Sequence, residues 1–87
     1  MIRETVTIHN PSGLHLRPAG NFCKECLKYQ SDIRFAFKGT EYVAKSVLNV
    51  LSAAVKKGDQ IELIIDGADE QQARDGIVAA VESGLGE

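Results

Sequence analysis

His15 and Arg17 stand two residues apart in the run Ser12-Gly13-Leu14-His15-Leu16-Arg17-Pro18. A neutral imidazole is a nucleophile that works near pH 7, and a guanidinium can pair with phosphate oxygens through two parallel hydrogen bonds. Beyond Pro18, apolar residues fall at 19, 22, 23, 26 and 27, the spacing of one helical face. Proline fits the first turn of a helix, so His15 or Leu16 is expected at or near the N-cap. The start of a helix exposes unpaired N–H groups and the positive end of the macrodipole, which favours an anion. These residues predict a site that carries a phosphoryl group on His15, with Arg17 and helix-end N–H groups stabilising its oxygens. No metal or cofactor is required. Ser12 is expected as a turn residue and as an auxiliary hydrogen-bond donor near the phosphate.

The flanking elements follow from periodicity. Glu4 to His9 alternates as a strand with Val6 and Ile8 on one face, and Asn10-Pro11-Ser12-Gly13 is a loop. Ile33, Phe35 and Phe37 mark a second strand, and the short Lys38-Gly39-Thr40 turn leads into a third at 41–44, forming a hairpin. Val47, Val50, Leu51 and Ala54 give a second helix over 46–55 with Ser46 as N-cap. Ile61, Leu63 and Ile65 define a fourth strand. Asp69 then caps a last helix with Ala73, Ile77, Ala80 and Val81 inward, Gln72 completes a capping box, and Gly84-Leu85-Gly86 ends the helix. The order β-α-β-β-α-β-α predicts an α+β domain over residues 1–87, one antiparallel sheet with helices on a single face.

Composition narrows the function. The 87 residues suffice for one core. No apolar run reaches the roughly 18 residues of a membrane span, and Met1-Ile2-Arg3-Glu4 lacks the apolar core of a signal peptide, so a cytoplasmic location without membrane insertion is expected. The net charge of −2 is unevenly spread: residues 1–57 carry +5 and residues 58–87 carry −7. The basic part holds the His15 segment, which suits acidic protein partners or phosphate. Direct nucleic-acid binding is disfavoured by the absence of a dense Lys/Arg run. Arg17, Lys24 and Lys28 share one helical face, a docking surface that Leu48 and Leu51 would complete.

Cys23 and Cys26 form a C-x-x-C, yet both fall in the apolar stripe in mid-helix, whereas redox pairs of this type lie at a helix start. They are expected to be reduced core residues. His9 and His15 could nominally complete a zinc set with them, but the spacing is unlike finger patterns. His9, at a strand end, is expected to be structural. Ser46 can be both a cap and a phosphorylatable residue.

Gly13-Leu14-His15-Leu16-Arg17-Pro18-Ala19 resembles the active-site motif of the HPr family, the phosphocarriers of the bacterial phosphoenolpyruvate-dependent sugar phosphotransferase system. Lys45-Ser46-Val47-Leu48 resembles the family's second motif, and length and element order match over essentially the whole chain. The resemblance implies an open-faced sandwich of four antiparallel strands and three helices. It implies that His15 accepts a phosphoryl group from phospho-enzyme I and passes it to IIA domains of sugar permeases, with Arg17 as phosphate stabiliser. It implies that Ser46 is modified by an HPr kinase/phosphorylase, the product acting with a catabolite control regulator. Leu16, Val47 and Leu48 join Lys24, Lys28 and Leu51 in the implied docking surface of a monomeric carrier. Leu16, Gly20, Leu48-Asn49 and the cysteine pair depart from the common pattern. A regulatory paralogue with little sugar-transport role is the alternative; such proteins typically lack the histidine, which is present here. A thiol-redox or metal-binding module is a third.

Overall fold

A computed structural model describes residues 1–87. Strand β1 (Ile2–Thr7) leads to helix α1 (Leu16–Leu27); β2 (Asp32–Phe37) and β3 (Thr40–Val43) follow, then α2 (Val47–Ser52), β4 (Gln60–Asp66) and α3 (Glu70–Glu82). The sheet order is β1-β4-β2-β3, with every pairing antiparallel. The three helices cover one face of the sheet, giving the expected open-faced sandwich.

Alternation decides which side chains meet the helices. Val6, Ile33, Phe35, Phe37, Ile61, Leu63 and Ile65 are buried with Phe22 and Cys26 of α1 and Ala73, Ile77 and Val81 of α3. Phe22 meets Phe35 edge-to-face at 5.8 Å, and Tyr42 stacks on Phe35 at 5.2 Å, so aromatic contacts tie α1 to the β2–β3 hairpin. On the open face the register sets Arg3 and Arg34 opposite Ile64 from the two neighbouring strands. Ile64 is buried there, which fits arginine stems lying over apolar surface while their charged ends pair with Glu62 and Asp32.

Four expectations need correction. Leu27 continues the apolar stripe but sits at the last position of α1, 59% exposed. Ala54 does not extend α2: the helix ends at Ser52, and Ala54 is an exposed residue in the left-handed region at φ 54°. Strand β1 is shifted toward the N-terminus, because Ile8 leaves the ladder to bond Asp59 and Gly58 through its backbone. Asp69 occupies the N-cap of α3, but its side chain does not cap the helix and no capping box forms. Its carboxylate instead accepts from the N–H groups of Gln30 and Ser31 (2.9 Å each) and from Ser31 Oγ (2.5 Å). Three donors from the α1–β2 turn outcompete a single helix-end N–H. The Gly67 N–H bonds Glu70 Oε1 at 3.1 Å.

Candidate functional site

His15 is the N-cap of α1, with extended backbone (φ −75°, ψ −176°). Its carbonyl accepts the first helical bond, from Ala19 N at 2.8 Å. Its imidazole makes no cap bond and is exposed. Two backbone bonds fix its approach: Gly13 N to Asn10 O closes the loop at 3.1 Å, and Leu14 N reaches Val55 O at 2.9 Å. Gly13 is required here. Its φ is +64°, and a Cβ would lie 2.5 Å from Val55 O and 2.7 Å from Lys56 Cα. The left-handed Ala54 directly precedes Val55, so the turn that ends α2 also delivers the carbonyl that holds Leu14.

Leu16 and Arg17 are exposed beside His15, and Pro18 is buried in the first turn. The N–H groups of Leu16 and Arg17 precede the first helical bond, and no acidic residue occupies that turn. Arg17 takes no part in the molecule's ion pairs. His15, Ser12, Leu14, Leu51 and Lys56 border a cleft of about 410 Å³. The structure therefore brings His15 and Ser12 to one cleft, with Leu51 of α2 on its other side.

Of the remaining predicted residues, Leu16 and Leu48 are strongly exposed at 65% and 76%, while Val47 and Leu51 are half-buried. Lys24 is exposed and unpaired; Lys28 is engaged by Glu25 at 2.9 Å. Ser46 is the N-cap of α2, and its Oγ accepts from Asn49 N at 3.3 Å. Asn49 Oδ1 in turn accepts from Val43 N at 2.6 Å, so one side chain joins the Ser46 cap to the end of β3.

His9 borders a different cleft, between β1 and α3, which also holds the Glu4–Arg74 ion pair. Cys23 and Cys26 are buried free thiols. Burial first, then the neighbouring Cys23, pushes the Cys26 thiol up to about 12, the opposite of a reactive thiolate. Cys23 Sγ donates to Lys45 O at 3.1 Å, linking α1 to the Ser46 segment. No three His, Cys, Asp or Glu side chains cluster as metal ligands.

One residue at the site carries no signal in the sequence. The Glu87 carboxylate accepts from Ser12 N (3.1 Å), Ser12 Oγ (2.6 Å) and Asn10 Nδ2 (3.0 Å). The Ser12 hydroxyl bond, then those from Asn10 and the Ser12 N–H, hold its carboxyl below the usual range, and the Arg17 charge adds to them.

An exposed histidine at the start of a helix, beside an arginine and on an open-faced sandwich, defines a site open to other proteins. The family model for the PTS HPr component phosphorylation site matches residues 2–83. The chain is 37% identical over 83 residues to phosphocarrier protein HPr of Mycoplasma genitalium, covering 94% of each. It is 34% identical over 82 residues to HPr-like protein Crh of Bacillus subtilis, covering 94% of this chain and 96% of that one. Among solved structures, HPr-C-His from Thermoanaerobacter tengcongensis superposes with a TM-score of 0.96 at 34% identity, covering 100% of this chain and 98% of that one. An HPr dimer from the same organism superposes at 0.80, also at 34% identity and covering 100% of each chain. The chain belongs to the HPr family of the phosphotransferase system, whose members are phosphocarriers and not stand-alone enzymes.

Proposed function

We propose that this chain accepts a phosphoryl group on His15 from phospho-enzyme I and passes it to IIA domains of sugar permeases. The observation that carries this reading is the exposed His15 imidazole, left without a cap bond at the start of α1 and followed by the unpaired Arg17. In the forward step a neutral imidazole nitrogen of His15 forms the new N–P bond as the bond from phosphorus to the enzyme I donor breaks. The free N–H groups of Leu16 and Arg17 and the Arg17 guanidinium face the transferring oxygens, and no metal is needed. In the second step the acceptor nucleophile of the IIA domain forms its bond to phosphorus as the N–P bond breaks, and the His15 imidazole is the leaving group, so this transfer runs by the same geometry.

Docking is assigned to Leu16, Lys24, Lys28, Val47, Leu48 and Leu51. The strong exposure of Leu16 and Leu48 supports this. Ser46 is proposed as the regulatory phosphorylation site for an HPr kinase/phosphorylase, the product serving a catabolite control regulator. A phosphate there would sit at the favourable end of α2 yet add negative charge beside the docking leucines, where acidic groups of enzyme I would meet it. The carrier is assigned to the cytoplasm as a single chain; no helix is long and apolar enough to cross a membrane. Sedimentation tests the single-chain assignment against the dimer seen in an HPr from Thermoanaerobacter tengcongensis. A dedicated regulatory role with little sugar transport is the second reading, favoured by the similarity to Crh.

The test is labelling with enzyme I and phosphoenolpyruvate. His15→Ala should take no label, and His9→Ala should label nearly as wild type, with an acid-labile linkage. Label in His15→Ala overturns the assignment. Absence of label in the wild type favours the regulatory reading.

A further inference from the structure

The segment that ends at Glu87 is anchored at one buried residue and by hydrogen bonds to α1 and to the Ser12 loop. Leu85 is buried, and its carbonyl accepts from Asn21 Nδ2 of α1 at 2.8 Å. Glu87 N bonds Gly84 O at 3.0 Å. Gly84, Leu85 and Gly86 all lie at positive φ, a run of left-handed residues that reverses the chain after α3. The consequence is that the Glu87 side chain arrives at the Ser12 loop, 75 residues away in sequence, and takes three of its donors.

We propose that the Glu87 carboxylate is an internal anion, which occupies the Ser12–Asn10 cradle while His15 is bare and yields it to phosphoryl oxygens when His15 is modified. This rests on the carrier reading of His15. The donors that hold Glu87 are a backbone N–H, a hydroxyl and an amide, all groups that a phosphoryl oxygen accepts from equally well. Ser12 and His15 border the same cleft, and the Arg17 charge acts on the Glu87 carboxylate. Two anions cannot share those donors without repulsion, so a phosphoryl group on His15 and a docked Glu87 compete.

The loop also has a means of releasing the carboxylate. Asn10 is 2% exposed, and its Oδ1 is buried without any hydrogen-bond partner. Asparagine ordinarily bonds its own chain two residues on, which here is the Ser12 N–H. That N–H is spent on Glu87. Departure of the carboxylate returns it to a phosphoryl oxygen or to the orphaned Asn10 oxygen, so the exchange strands no donor. Glu87 and the Ser12 hydroxyl are exposed, and water can follow the carboxylate in.

The test uses the full chain with inorganic phosphate as probe, followed at the Ser12 amide by NMR. Glu87→Gln should bind phosphate more tightly than wild type by roughly two- to fivefold, the range of an exposed charge interaction, with a melt lowered only slightly. Asn21→Ala, which loosens the tether but keeps the carboxylate, should fall between them. In wild type phosphorylated by enzyme I and phosphoenolpyruvate, the Glu87 carboxylate carbon should shift together with the Ser12 amide. Equal phosphate affinities in wild type and Glu87→Gln, or a Glu87 carbon that stays put on phosphorylation, overturn the exchange while normal labelling leaves the carrier reading standing. Failure of labelling overturns the carrier reading, and with it the exchange.

Discussion

Two serines in this molecule grip a carboxylate with the same pair of donors, backbone N–H and hydroxyl. Ser31 does so to Asp69 and Ser12 to Glu87. Ser31 is 2% exposed in the turn between α1 and β2, where it ties down the start of α3. Ser12 is exposed, in the loop that positions His15. Removing one partner of a buried pair leaves a donor with no replacement, whereas water can replace either partner at the surface. Identical hydrogen bonds thus serve as a fixed joint in one place and an exchangeable contact in the other. Burial decides which, and the exchangeable one lies beside the nucleophile.

The contrast can be sharpened first on the functional side. Arg17→Lys keeps the charge but loses the planar fork, and it should slow phosphoryl transfer from enzyme I by about tenfold or more with little change in the melt. Rapid-quench labelling measures this; an unchanged rate removes the clamp role. On the structural side, Ser31→Ala deletes one part-buried hydrogen bond from a buried hydroxyl, worth about 1 kcal/mol. It should lower the melting temperature by roughly 4–8 °C, the scale for a domain of this size, and leave transfer intact. Ser12→Ala should move the melt far less.

Acid separates the two regions more finely. The Ser31 hydroxyl bond, then the Gln30 N–H, hold the Asp69 carboxyl below its ordinary 3.8. A carboxylate with a depressed folded value stabilises the fold fully above its unfolded value and loses that contribution as pH falls through the folded one. Stability should therefore decline below pH 3.8 in wild type, and Asp69→Asn should flatten that part of the profile. Glu87, also depressed from its ordinary 4.5 but at an exposed loop, should change the profile less when replaced by Gln. Urea melts across pH 2–5 check both; equal flattening by the two variants would erase the distinction.

Local periodicity made the helices and strands legible, because each signal lies within a few residues of the next. Ser46 was readable as a cap for that reason: its acceptor role to Asn49 spans one turn. Asp69 has the same local appearance, but its partners lie 38 and 39 residues upstream, and only the packing of α3 against the α1–β2 turn brings them near. Leu27 fits the stripe but falls where α1 runs out past its neighbours, and Ala54 fits the spacing of α2 but is turned out by the left-handed bend that aims Val55 at Leu14. At the site, His15 and Arg17 were legible as adjacent chemistry. Glu87 was not, since no local pattern links it to Ser12; the contact exists only once α3 and its left-handed exit are in place.

The most direct measurement is the position of the phosphoryl group in wild-type protein charged by enzyme I and phosphoenolpyruvate. Nitrogen-15 NMR of the two imidazoles would be read together with the backbone amides. The predicted result is a phosphorylated His15 ring, an unchanged His9 ring, a large shift at the Ser12 amide and none at Ser31. Phosphorylation at His9, or a Ser31 amide that moves as far as Ser12, would contradict it.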